Sequence, residues 1–275
     1  MPISLLVLTD FSPAANRALN YANRLAGSIG AQLVLLHVRR DSLLDPEAFS
    51  GLPDAGSLEA LELAMTALAS DMSAPVVTEI RHGQVAPAVV EMLRRYPSAV
   101  VVLGRPDEEA IPEELVSTAA LELLRTVAQP MLVVPQSESV FTLPRRVLLA
   151  VDAEAFTLGE HTDGVQHLFN TVPTEVTVLH VSADAVTSTA EAVAPTALTA
   201  VLRTGLRCEL PQVKTRTVIG VAPADGILQV AATGAFDLLV LIARPRSFLG
   251  ALFHHSVTAQ VLVHSPLPVL ILPVV

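Results

Sequence analysis

The chain repeats itself, and this repetition restricts its folds more than any other feature of the sequence. LVLTD, which ends at Asp10, matches LLAVD, which ends at Asp152, and LLHV at 35–38 matches VLHV at 178–181. HGQVAPAVVEML, with Gly83, matches IGVAPADGILQV, with Gly220. AQPMLVVP, which ends at residue 135, matches SPLPVLILP, which ends at residue 273. The nearly constant spacing between partners predicts a duplicated domain.

Each repeat alternates strand-like and helix-like segments. Short apolar runs rich in Val, Leu and Ile are typical of strands buried on both faces of a parallel sheet. We predict strands at 3–9, 31–38, 76–82, 99–104 and 131–134, and in the second repeat at 146–151, 174–181, 212–219, 236–242 and 269–272. Apolar residues at three- and four-residue spacing predict helices at 14–29, 57–72, 85–95, 112–127, 160–170, 190–206, 222–232 and 251–264.

This order predicts an α/β fold with two tandem, doubly wound, Rossmann-like domains, each with a five-stranded parallel sheet. We place the domains at residues 1–137 and 143–275. Ser, Glu and Pro interrupt the apolar pattern near 136–144, as expected of a linker.

Composition excludes several classes of partner. A net charge of −10 opposes binding to nucleic acid or to acidic lipid. No apolar run approaches the roughly 18–20 residues of a membrane span, and the first ten residues lack the basic region of a signal peptide. The single cysteine, Cys208, favours the cytoplasm, although a cysteine-poor secreted protein remains an alternative.

Both halves resemble the universal stress protein family at these matched segments. The marks are the strand, Asp10, loop and helix at the start, the HV dipeptide of the second strand, and the closing HHSVTAQVLVHSPLPVLILP at 254–273. The resemblance implies an adenine nucleotide hydrolase-like fold in each half. It also implies that two domains pair through their edge strands, here within one chain, and it favours a homodimer or other self-association of chains.

Family members that bind ATP carry Gly-x-x-Gly, nine residues, and then Gly-Ser or Gly-Thr. Glycines let backbone N–H groups approach phosphates, and a helix N-terminus adds positive potential. The corresponding first-half positions hold Gly104, Asp107, Ser117 and Thr118, so only the first glycine and the final hydroxyl are retained. Carboxylates at 107, 108, 109, 113 and 114 oppose a polyphosphate. The alternative is a solvated acidic loop that favours the start of a helix.

The second-half positions hold Ile242, Pro245, His255 and Ser256, so every glycine is lost. A local cationic cluster replaces them, made of Arg244, Arg246, His254 and His255. This cluster suggests a small anionic ligand such as phosphate, a carboxylate metabolite or a mononucleotide. In the alternative, the arginines are solvated or pair with a carboxylate of the acidic first half.

Four further residues are candidates by the same resemblance. Asp10 and Asp152 end their first strands, where ligands bind in open α/β sheets. Each aspartate has an alternative role as a helix cap or turn support. The backbone groups of Val38 and Val181 would face an adenine in the family's nucleotide-binding mode.

No motif of the sequence indicates turnover. There is no Gly-x-Ser-x-Gly elbow and no P-loop, and the lone cysteine has no evident base. Adjacent histidines on a helix point about 100° apart, so we expect no metal site at His254 and His255. The sequence therefore predicts a non-catalytic stress-response sensor or scaffold without a certain cofactor. The alternatives are an ATP- or AMP-binding member with weak ATPase activity, and a second copy that serves only as a built-in partner.

Overall fold

Ten strands form one continuous sheet that crosses both halves of the chain. The computed structural model describes residues 3–39, 55–106, 118–136, 143–183 except 153, 155 and 160, 213–244, and 256–274. The first half contributes β1 (Ser4–Thr9), α1 (Pro13–Ile29), β2 (Gln32–Arg39), α2 (Ala55–Ser70), β3 (Val76–His82), α3 (Val85–Arg95), β4 (Val100–Gly104), α4 (Thr118–Thr126) and β5 (Met131–Val134). The second half contributes β6 (Arg146–Ala150), α5 (Asp163–Thr171), β7 (Glu175–Ser182), β8 (Lys214–Ile219), α6 (Pro223–Ala231), β9 (Leu238–Ala243), α7 (Val257–His264) and β10 (Val269–Pro273).

The strand order is β3-β2-β1-β4-β5-β10-β9-β6-β7-β8. Within each half all neighbouring strands run parallel, as the sequence predicts. The edge strands β5 and β10 pair antiparallel and join the halves. The predicted fold class is confirmed, with the two five-stranded sheets fused into one.

The local sequence explains how each helix begins and ends, and α1 is the clearest case. Ser12 caps its N-terminus by accepting a hydrogen bond from the amide of Ala15, and Pro13 occupies the first turn. Gly30 ends the helix in the left-handed conformation, with a φ of 66°, which glycine adopts at little cost. Nine buried residues of α1 lie on the face that covers the sheet.

Two apolar cores lie on opposite faces of the sheet, and each crosses the boundary between the halves. One core contains residues of β1, α1, β5, β6 and β10. The other contains residues of α3, α6 and α7 together with the opposite side chains of the same sheet. Because strands buried on both faces must be apolar throughout, the continuous apolar runs of the sequence are explained.

The seam between the halves is buried. Leu132 of β5 lies opposite Leu270 of β10, and they are 3% and 1% exposed. Helices α1 and α5 also meet across the seam, where Nε2 of His167 donates to the carbonyl oxygen of Ile29 at 2.8 Å. The halves therefore share both a sheet and a helix contact.

Several predicted elements differ from the observed ones or lie outside the described residues. The second group contains the predicted helix at 190–206, Cys208, and the predicted starts of the helices at 112–127 and 251–264. Helix α5 begins at Asp163, three residues later than predicted, after the capping position Thr162. Among the described helices, none has the length and apolar character needed to cross a membrane.

Candidate functional site

The two halves place their candidate residues at opposite ends of the strands, on the two edges of the sheet where strands begin and end. Because β5 and β10 are antiparallel, the carboxyl ends of β1 and β4 point away from those of β6 and β9. We call the edge with Asp10, Val38 and Gly104 the first site, and the edge with Asp152, Val181, Arg244 and Ser256 the second site. The structure thus brings together the described candidates within each half but keeps the halves apart. Thr118 begins α4. Four predicted site residues lie outside the described part of the chain: Ser117, Arg246, His254 and His255.

At the first site, Asp10 shapes the turn that leads into α1. Its Oδ1 accepts a hydrogen bond from the amide of Ser12 at 3.0 Å. The intervening residue, Phe11, has a φ of 62°, and its amide donates to Oγ1 of Thr9. A positive φ is strained for an aromatic residue, so the polar groups on both sides must hold the turn in place. The turn-supporting role of Asp10 is therefore visible in the geometry.

The packing of α1 explains why position 104 is a glycine, and the sequence alone does not indicate this. A Cβ at this position would overlap the carbonyl oxygen of Ala14 and come within 2.9 Å of the amide of Ala15. The first turn of α1 thus rests directly on the end of β4. Close backbone approach explains the glycine without a phosphate.

One histidine in each half links the first two strands, a role that the sequence does not predict. Nδ1 of His37 donates to the carbonyl oxygen of Thr9 at 2.8 Å, and Nδ1 of His180 donates to that of Val151 at 3.1 Å. Since a carbonyl can only accept, Nδ1 must carry the proton. The HV repeat itself was the signal that could have identified them.

At the second site, Arg244 and Asp152 form a bidentate ion pair. Nε of Arg244 donates to Oδ2 of Asp152 at 2.6 Å, and Nη2 donates to Oδ1 at 3.0 Å. Nη2 also donates to the carbonyl oxygen of Glu154, whose carboxylate lies 3.7 Å from Nε. These carboxylates belong to the second half, not to the acidic first half that we considered as a source of partners.

The pairing fixes the charge of Asp152. Partial burial alone would raise the pKa of this carboxyl, but the hydrogen bonds and positive charge of Arg244 outweigh burial and hold the pKa below its ordinary value. Oδ1 also accepts from the amide of Glu154, which repeats the turn of Asp10. Asp152 therefore stays anionic through the neutral and mildly acidic range.

A pH dependence follows from this lowered pKa. A carboxyl with a depressed pKa contributes stability above its ordinary pKa and loses it as the pH falls through the folded-state value. We expect Asp152→Asn to be less stable than the natural chain at pH 7, by under about 1 kcal/mol because the side chain is half exposed. Urea unfolding at pH 7 and at an acidic pH below the ordinary carboxyl pKa should show that the difference shrinks as the carboxyl becomes protonated. An equal difference at both pH values would contradict the ion pair.

The remaining described candidates of the second site have structural partners. Ser256 caps α7, its Oγ accepting a hydrogen bond from the amide of Ala259 at 3.1 Å. Val181 packs against α6, where a Cβ on Gly226 would come within 2.6 Å of its side chain. Both residues therefore help to hold helices against the end of the sheet.

The chemistry open to these groups is limited. An effective general base needs a pKa near the working pH and a free lone pair directed at the substrate. Asp152 has a lowered pKa and two oxygens engaged by Arg244, and it is a poor base. Within the described ranges, no group of three or more His, Cys, Asp or Glu side chains has a geometry that could hold a metal ion.

Comparison with known proteins identifies similar folds along the whole chain. The family model described as the universal stress protein family matches residues 4–135 and 144–273. A universal stress protein from Archaeoglobus fulgidus DSM 4304 is 17% identical, with a TM-score of 0.67, over 98% of this chain and 97% of that one. A protein of unknown function from Pseudomonas aeruginosa PAO1 is 18% identical, with a TM-score of 0.60, over 98% and 92% of the two chains.

The cytoplasmic domain of a prokaryotic cation chloride cotransporter has a similar fold at 9% identity. Its TM-score is 0.56, over 99% of this chain and 95% of that one. No curated protein sequence matches the chain. The double family match confirms the resemblance seen in the sequence.

Proposed function

Since the chain belongs to the universal stress protein family, we propose that it is a non-catalytic stress-response protein that acts by binding partners or a small ligand. The observation that carries this proposal is the ion pair between Arg244 and Asp152. It occupies the strand-end carboxylate that, by family resemblance, would lie near a nucleotide. A cytoplasmic setting agrees with the single cysteine of the chain.

The residues at both sheet edges are a poor fit for ATP held in the family's manner. At the second site, Ile242 stands in place of the first glycine, and Arg244 is turned toward Asp152. At the first site, Gly104 is packed against α1, and five acidic residues follow it in the sequence. Each carboxylate near a phosphate opposes binding by about 1 kcal/mol in a solvated setting. Both sites therefore disfavour ATP held in the family's manner.

The position of Arg244 favours a second candidate function, the binding of a small anion. Its side chain is only 16% exposed and lies at the carboxyl edge of β9. A phosphate or AMP phosphate would have to compete with Asp152 for the same donors, which predicts weak binding. The alternative is ATP binding with slow hydrolysis, for which the first half keeps Gly104 and Thr118 at positions of the family's phosphate loop.

Calorimetry with ATP, AMP and inorganic phosphate, together with mass spectrometry of the purified protein, separates these possibilities. Non-catalytic anion binding predicts phosphate or AMP binding and no release of phosphate from ATP. ATP bound at micromolar affinity, with hydrolysis above the buffer rate, would overturn the proposal.

The variant Arg244→Ala tests whether phosphate binds at the second site. We expect it to weaken phosphate binding at least tenfold because it removes the donors at the strand end. Arg146→Ala is the matched control, since Arg146 forms a similar ion pair with Asp237 at the opposite edge of the same half. The control should leave phosphate binding unchanged. A loss of affinity in both variants, or in neither, would exclude Arg244 as the anion-binding residue.

A further inference from the structure

Arg105 connects the first site to a helix of the other half. It follows Gly104 directly, and its amide donates to the carbonyl oxygen of Val134 in β5. Its Nη1 crosses the seam and donates to the carbonyl oxygens of Leu262 and Ser265, at 2.8 and 2.9 Å. The acceptors are more than 150 residues away in sequence, so the contact is purely tertiary.

The two acceptors lie at the C-terminal end of α7. The last carbonyls of a helix lack partners within the helix, and its C-terminus carries partial negative charge. Ser265 is fully buried, so its carbonyl oxygen needs a donor from the protein. The guanidinium of Arg105 supplies both hydrogen bonds and a positive charge, and it therefore acts as a helix cap provided by the other half.

Helix α7 reaches from one candidate site to the other. Its N-terminal capping residue, Ser256, belongs to the second site, and its C-terminal end is held by Arg105 at the first. Eight residues of helix span about 12 Å. The antiparallel seam makes this geometry necessary, because the strands of the two halves end at opposite edges.

The contact is asymmetric between the repeats. The amide of Val101 donates a hydrogen bond to the carbonyl oxygen of Pro130, and the amide of Leu239 donates one to the carbonyl oxygen of Pro268. Val101 in the first half is therefore equivalent to Leu239 in the second. By the same spacing, the residue equivalent to Arg105 is Ala243. Its buried methyl group cannot donate to α4 of the first half.

We propose that Arg105 couples the two candidate sites, by making the stability of α7 depend on the strand end that borders the first site. Loss of the Arg105 contacts then loosens α7 from its C-terminal end and weakens the hold of the helix on Ser256 in the second half. Arg17 takes part from the other side, since its Nη2 donates to the carbonyl oxygen of Arg105 at 3.1 Å. The coupling requires no ligand, so it can be tested whether or not phosphate binds.

Hydrogen exchange measured by mass spectrometry on the full chain tests the coupling. In Arg105→Ala we expect the amides of α7 to exchange about tenfold faster, including those of Ala259 and Gln260, which bond to Ser256 at the second site. Amides of β2, in the same half as Arg105, should keep their rates. Arg95→Ala is the matched control, because Arg95 is a first-half arginine paired with Glu79. It should leave α7 unchanged.

Two outcomes would overturn the proposal. One is unchanged exchange in α7, which would show that the helix end does not depend on Arg105. The other is equal acceleration in α7 and β2, which would show a general loss of stability. If Arg105→Ala does not fold, Arg105→Lys and Arg17→Ala replace it. Each should accelerate exchange in α7 about threefold relative to β2, and unchanged exchange in both would equally overturn the proposal.

Discussion

Leu132→Asp should lower the free energy of unfolding by at least about 4 kcal/mol and the melting temperature by roughly 10 °C. Leu132 is buried in β5 against Leu270, so the replacement removes apolar contacts and places a carboxylate in the seam between the halves. Leu63→Asp is the control, because Leu63 is 71% exposed on α2. Its effect should stay within about 0.5 kcal/mol.

A double-mutant cycle distinguishes the seam from an ordinary buried position. Leu132→Ala and Leu270→Ala should be coupled by at least about 0.5 kcal/mol, because the residues are direct cross-strand partners. Leu132→Ala and Val176→Ala should be additive, since β7 lies four strands from β5, about 19 Å away. Additivity in both pairs, measured by urea unfolding, would contradict the antiparallel pairing of β5 and β10.

The fold could be predicted from the sequence because its strands are buried on both faces. Such strands are continuous apolar runs, and all ten of the described strands begin and end within two residues of the predictions. Each half carries its own apolar runs, so the strands of the second half are predicted separately and agree with those of the first. The pairing of β5 with β10 followed from family resemblance alone, because an apolar edge strand does not specify its partner.

The candidate sites were predicted less completely than the fold. The sequence predicts both Asp152 and Arg244 as site residues but does not predict their ion pair. The two residues are 92 positions apart, and their contact depends on the packing of β6 beside β9. Nothing in the sequence indicates the role of Arg105. It precedes a proline in a loop, and only the antiparallel seam reveals that the end of α7 lies within reach.

Gly104→Ala should lower the free energy of unfolding by about 3 kcal/mol, although it adds a single methyl group. The new Cβ would overlap the backbone of Ala14, and neither α1 nor β4 can shift without disturbing the core. Gly27→Ala is the control, and its expected effect on the free energy of unfolding has the opposite sign. Gly27 lies within α1 with no atom within 4 Å of an added Cβ, so alanine should stabilise the helix by about 0.4–1 kcal/mol.

The pair of glycine variants also tests why the first glycine of the family's phosphate loop is retained. If Gly104 serves the packing of α1, Gly104→Ala should lose stability in urea unfolding without a separate effect on ATP binding. An unchanged unfolding curve combined with lost ATP binding would instead assign the glycine to a phosphate, and it would restore the first half as a nucleotide site. Because a glycine kept for packing persists even when no ligand binds, its presence in the sequence is not by itself evidence for a nucleotide.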